Sequence, residues 1–159
     1  MNELLEILEK NSNTDIENIA VMLGKSIEEI RAEIKKLEED GIIVGYKALI
    51  NWEKTDKDTV TALIELKITP QRGEGFDKVA ERIYRYPQVK ACYLMSGGFD
   101  LTVLIEGTSM KEVALFVAEK LAPLENVLST ATHFVLKKYK DKGIIFEEND
   151  KDDREAVRL

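Results

Sequence analysis

The sequence predicts an α+β chain in two parts: a winged helix-turn-helix, then a ferredoxin-like βαββαβ domain. Three observations predict it. Up to Asp40 the apolar residues recur at helical spacing, punctuated by Gly24 and Gly41. From Thr59 onward, period-two runs and helical runs follow in the order strand, helix, strand, strand, helix, strand. Between them, Asn51–Asp58 (NWEKTDKD) breaks both periods. The expected organisation is therefore a helical module over 1–50, a linker over 51–58, the βαββαβ domain over 59–142 and an acidic tail over 143–159.

The helical module is justified element by element. Asn2–Lys10 places Leu4, Leu5 and Leu8 on one face. Asn11–Thr14 is polar, and Asn13 or Thr14 can cap a second helix over Asp15–Leu23, with Ile16, Ile19, Ala20 and Leu23 inward. Gly24 ends that helix, and Ser26 with Glu29 forms a capping box for a third. Ile27, Ile30, Ile34 and Leu37 are its buried stripe. Residues Ile42–Ile50 follow as a strand or a wing around Gly45. Two helices joined by a short glycine turn outline a helix-turn-helix, an outline shared with three-helix packing units that bind no nucleic acid.

In the second part, Thr59–Thr69 is a strand whose Val60, Ala62, Ile64, Leu66 and Ile68 share one face, ended by Pro70. Gly73–Arg85 is an amphipathic helix with Phe76, Val79, Ala80 and Ile83 inward, stopped at Tyr86-Pro87. Strands are expected at Val89–Met95, Asp100–Glu106 and Val127–Lys138. Ser109 caps a helix over Met110–Leu121. Ile144–Phe146 reads as a short edge strand or a partner contact, and Glu147–Leu159 as a solvated tail. With both helices on one sheet face, the other face is bare, and its apolar residues call for a second copy of the chain.

Composition narrows the function classes. Of 159 residues, 44% are hydrophobic and 33% charged, as in a soluble globular protein. The opening MNELLEILEK is amphipathic and acidic, and no run reaches membrane-spanning length, so a cytoplasmic protein without membrane contact is expected. The single cysteine, Cys92, falls in an apolar strand and reads as a buried thiol. No metal cluster, phosphate loop or nucleophile–base pair is visible, so no cofactor and no catalytic residue is assigned. Net charge is -7; residues 1–50 alone carry 6 basic and 11 acidic side chains. The module that outlines a DNA reader is thus the most acidic part of the chain.

One turn stands apart. Ser96-Gly97-Gly98-Phe99-Asp100 joins two strands through two glycines, more than a hairpin needs. Uncovered backbone N–H groups suit a carboxylate, and Asp100 at the rim suits an ammonium.

Three segments carry a family resemblance: Leu37-Glu38-Glu39-Asp40-Gly41-Ile42-Ile43-Val44-Gly45-Tyr46, then Ser96–Leu101, then Thr130-Ala131-Thr132-His133-Phe134-Val135-Leu136-Lys137-Lys138-Tyr139-Lys140. In this order and spacing the chain resembles the leucine-responsive regulator/AsnC (Lrp/AsnC) family of transcription regulators over residues 1–142. The resemblance implies double-stranded DNA and an amino-acid-like effector as partners, and a homodimer that assembles further, up to an octamer. It places effector contacts at Ser96, Gly97, Gly98, Phe99, Asp100, Thr130 and Thr132. DNA contacts fall on the helix-turn-helix and its wing, at Lys25, Ser26, Glu28, Glu29, Arg31, Lys35, Lys36 and Lys47. Where the family usually has an arginine, this chain has Glu33. Two alternatives stay open: an oligomeric amino-acid sensor that does not bind DNA, and an enzyme similar to the sirohaem decarboxylases of the same layout. The latter would need histidines and arginines around a tetrapyrrole, and this chain has one histidine, His133, which strand alternation turns away from Thr130 and Thr132.

Overall fold

The computed structural model describes residues 2–69 and 75–146. The chain divides into two compact units between Ile50 and Asn51.

The first unit has three helices, α1 (Asn2–Lys10), α2 (Ile16–Leu23) and α3 (Ile27–Glu39). Their apolar stripes meet in a core of Leu4, Ile19, Ala20, Ile30 and Leu37. Gly24 closes α2 in the left-handed conformation, φ 64°, and the Lys25 N–H returns to the Ala20 carbonyl at 3.0 Å. Gly41, φ 69°, closes α3 in the same way, with the Ile42 N–H on the Leu37 carbonyl at 2.9 Å. A side chain at either glycine would meet the left-handed penalty, so both helix ends are set locally. At the start of α2 the expected cap differs. Asp15 holds the cap position without a side-chain bond, and Thr14 does not cap because its hydroxyl donates to the Asn11 carbonyl at 2.8 Å. The polar Asn11–Thr14 stretch closes its own turn instead.

The expected wing does not form. Ile42–Ile50 makes no strand ladder with any described residue, and the Tyr46 hydroxyl, which donates to Glu38 at 2.9 Å, ties it back to α3. A lone extended stretch has no rung partner, and alternating apolar residues alone do not supply one.

The second unit is a four-stranded antiparallel sheet in the order β2-β3-β1-β4, where β1 is Val60–Ile68, β2 Val89–Leu94, β3 Leu101–Gly107 and β4 Val127–Phe134. Helices α4 (Asp77–Tyr84) and α5 (Met110–Phe116) cover one face. Their Val79, Ile83, Val113 and Phe116, with Leu121 just after α5, pack on Ala62, Ile64, Leu66, Leu101, Val103 and Ile105. This is the ferredoxin-like arrangement the alternating pattern predicts. The opposite face presents Leu63 and Leu104 beside Tyr93, Ala131, Glu65 and His133, set by the pairs Leu63↔Leu104, Tyr93↔Thr102, Glu65↔Ala131 and Leu63↔His133.

Several boundaries move. Within the described residues α4 starts at Asp77, because Gly75 is left-handed at φ 57° and Phe76 occupies the cap position. The expected strand stop at Pro70, the expected helix start at Gly73 and the tail Glu147–Leu159 lie outside the described residues. Strand β2 ends at Leu94 and β3 begins at Leu101. Helix α5 gives way to a π-helical turn over Val117–Leu121, closed by the Ala122 N–H on the Val117 carbonyl at 2.8 Å. Either kind of last turn keeps Val117 and Leu121 inward, so apolar spacing does not separate them. Strand β4 stops at Phe134, short of the expected Lys138, because its partner β1 begins at Val60; the last bond between them is the Val135 N–H on the Thr61 carbonyl at 2.8 Å. The chain then makes a two-stranded hairpin, β5 (Lys140–Asp141) with β6 (Ile144–Ile145), through Lys142 and Gly143 at φ 48° and 82°.

Two helix caps give the fold an acid sensitivity. Glu29 accepts from the Ser26 N–H and hydroxyl, both at 2.8 Å, and these bonds lower its pKa below the ordinary 4.5. Glu112 is lowered by the Thr108 hydroxyl first and then the Thr108 N–H, both at 2.6 Å. A lowered carboxyl contributes fully above its unfolded pKa and loses that contribution as pH falls through the folded value. Replacing both residues by Gln is therefore expected to flatten the acid limb of stability as pH falls from the ordinary carboxylate value through the lowered ones, measured by urea titrations across pH. An unchanged limb would contradict these caps as its source.

Candidate functional site

Two places on the chain bring functional groups to the surface. The first is α3. Its inward stripe leaves Glu28, Ala32, Lys35 and Lys36 on the outer side, with Arg31 at the margin, all exposed. The groups expected to meet DNA divide into spent and unspent. Ser26 and Glu29 satisfy each other in the capping box. Lys25 is bound to Glu33 at 2.5 Å, which raises the lysine's pKa and lowers the glutamate's. Lys35 lies 3.7 Å from Glu39, an exposed pair that contributes little. The side chains of Arg31, Lys36 and Glu28 have no ion pair or hydrogen bond to another described residue, and Lys47 is exposed on the segment that replaces the wing. Sequence reasoning missed the Lys25–Glu33 bridge, which spans the turn at no helical spacing. It also missed Ala32, which the spacing from Glu28 would have shown.

The second place is the loop between β2 and β3. It is wider than a tight reversal: the Met95 N–H bonds the Asp100 carbonyl at 2.8 Å, with four residues between. Ser96, Gly97 and Gly98 are exposed, and Phe99 and Asp100 half-buried. The N–H groups of Ser96, Gly97, Gly98 and Phe99 bond no other described residue. Asp100 has a structural task that sequence did not reveal. Its N–H donates to the Leu66 carbonyl at 2.9 Å, and its Oδ2 accepts from the Ile68 N–H at 2.7 Å. It thus finishes the end of β1, where the ladder with β4 slips register between Lys67 and Ile68. One carboxylate oxygen is committed there, and the other has no bond to a described residue.

The two glycines also differ. Gly97 has φ 136°, a region unfavourable to other residues, whereas Gly98 has no such φ, and a Cβ there would meet nothing within 4 Å. Gly97→Ala is expected to destabilise by about 1–3 kcal/mol, and Gly98→Ala to leave the unfolding midpoint nearly unchanged. Equal losses in thermal unfolding would contradict the distinction.

Thr130 and Thr132 lie on one strand face of β4, opposite Leu66 and Ile64. Leu66 in turn pairs with Leu101 beside the loop, so β1 stands between the threonines and the loop in one chain, about 10 Å at two strand spacings. The groups share one end of the sheet without meeting. His133 lies on the other face, 3.1 Å from Glu65.

Comparison with known proteins agrees with this layout. A family model described as the Lrp/AsnC ligand binding domain matches residues 61–145. The uncharacterized HTH-type transcriptional regulator YugG of Bacillus subtilis (strain 168) is 53% identical, over 98% of this chain and 94% of its own. The HTH-type transcriptional regulator LrpA of Pyrococcus horikoshii is 31% identical, over 86% of this chain and 94% of its own. A transcriptional regulator from Neisseria meningitidis, solved in complex with L-Met, shares the fold at a TM-score of 0.70 and 24% identity, covering 87% of this chain and 88% of that one. Helical module, ferredoxin-like sheet, glycine loop and relatives agree: the chain belongs to the Lrp/AsnC family of transcriptional regulators.

Proposed function

We propose that residues 1–50 form the DNA-binding element, with α3 as the reading helix, and that residues 59–142 bind an amino acid or a related metabolite and assemble the oligomer. For DNA, the observation that carries the reading is the exposure of Arg31, Lys35 and Lys36 along α3, behind a glycine-closed turn. The carboxylates around them weaken attraction to phosphates, and joining modules in an oligomer offsets that. For the effector, the carrying observation is the row of unbonded N–H groups over Ser96–Phe99, next to an Asp100 oxygen without a partner. A ligand carboxylate fits the N–H groups and its ammonium the aspartate. Because β1 separates Thr130 and Thr132 from the loop, a second copy completes the site. The regulator solved with L-Met supports an amino acid as the ligand class, and the bare sheet face supports a dimer that covers Leu63, Leu104 and Tyr93. The chain works as a regulator without catalysis, as the names of its relatives support.

The test is a thermal-shift screen of the twenty amino acids, followed by Asp100→Asn. Asn keeps an acceptor for the Ile68 N–H and removes the charge, so basal stability is expected to hold while stabilisation by the active amino acid is lost. If no amino acid shifts the parent, or the variant responds equally, the effector site is wrong.

A further inference from the structure

We propose that Glu28 is a base-reading residue of α3 and selects a cytosine in the major groove of the DNA it binds; this rests on the reading of α3 as the DNA-reading helix. The first half of α3 carries three carboxylates: Glu28, Glu29 and Glu33. The structure separates them. Glu29 accepts from the Ser26 N–H and hydroxyl at 2.8 Å each, and Glu33 is bound to Lys25 at 2.5 Å. Glu28 is exposed and has no hydrogen bond or ion pair to a described residue. It stands at the N-terminal end of the outer face, one turn before Ala32 and two before Lys35, where a reading helix meets base edges.

A free carboxylate at that place repels phosphate, so it favours binding only where a base edge offers it a donor. An ionised carboxylate only accepts. The donors in the major groove are adenine N6 and cytosine N4. Adenine N6 lies beside the N7 acceptor, which repels the second carboxylate oxygen. Cytosine N4 lies beside the C5–H, which does not. Glu28 therefore selects cytosine, and a Gln in its place, which both donates and accepts, suits adenine N6 and N7. The acidic face of α3 thus supplies discrimination, while Arg31, Lys35 and Lys36 supply attraction.

The experiment selects sites from a randomised duplex library with the full chain, Glu28→Gln and Glu29→Gln. The parent is expected to enrich a C·G pair at a defined position, with a change of that pair weakening binding about fivefold or more. Glu28→Gln is expected to lose that preference or move it to A·T at similar salt dependence, and Glu29→Gln to keep it. A parent motif unchanged in Glu28→Gln overturns the proposal and leaves Glu28 as a stabiliser of the helix N-terminus alone. Duplex binding without any enriched position also overturns it and leaves the DNA-reading helix standing. A parent that binds no duplex at low salt overturns both.

Discussion

A chain carrying Arg31→Gln, Lys35→Gln and Lys36→Gln together is expected to bind duplex DNA on the order of 100-fold more weakly than the parent at physiological salt. The three residues are all the cationic side chains that α3 carries. Lys25 is neutralised by Glu33 at 2.5 Å, so it starts with less to give to a phosphate. Each lost phosphate contact also lowers the slope of log affinity against log salt by about one. Fluorescence anisotropy across a salt series separates this loss from a folding defect, because all three side chains are exposed and their removal opens no cavity. A triple variant with the parent's slope would mean that α3 does not meet the phosphates. The complementary substitution, Glu33→Gln, frees Lys25 and removes a negative charge, and is expected to strengthen binding severalfold.

Leu66→Ala is expected to destabilise the second unit by about 2–5 kcal/mol, with an unfolding midpoint roughly 10 °C lower or more. Leu66 is fully buried in β1, the strand that both β3 and β4 pair with. Its neighbours are Leu101 on one side and Thr130 on the other, and its carbonyl accepts the Asp100 N–H at 2.9 Å. The cavity would therefore open directly under the glycine loop, and ligand-induced stabilisation should fall with global stability. Scanning calorimetry with and without the active amino acid measures both. A loss below about 1 kcal/mol would contradict the packing assigned to this residue.

How much of this could be read from sequence depends on which interactions are local. The Ser26–Glu29 box and the glycines that end α2 and α3 are set within a few residues, and each is found where the residue types indicate. The inward stripes of α3, α4, α5 and β1 are likewise periodic signals, and the core follows them. Three features depend on partners distant in sequence or specific in angle, and spacing could not show them. Asp100 reaches the Ile68 N–H across 32 positions of chain. Lys25 reaches Glu33 around a turn. Residues Ile42–Ile50 have a strand's composition but no ladder partner among the described residues. The glycine loop was visible as an excess of glycine. That its two glycines differ, one needing its φ and the other not, was visible only in the backbone angles.

The most direct test joins the two proposed activities in one titration. The full chain is titrated onto a labelled duplex from upstream of its own coding sequence, with and without the amino acid that most raises its unfolding temperature, at several salt concentrations. The expected result is binding that weakens steeply with salt, at an affinity or stoichiometry the amino acid changes. Absence of binding at low salt, in both conditions, would contradict DNA recognition by α3. Binding that no stabilising amino acid alters would contradict coupling between the loop and the helices.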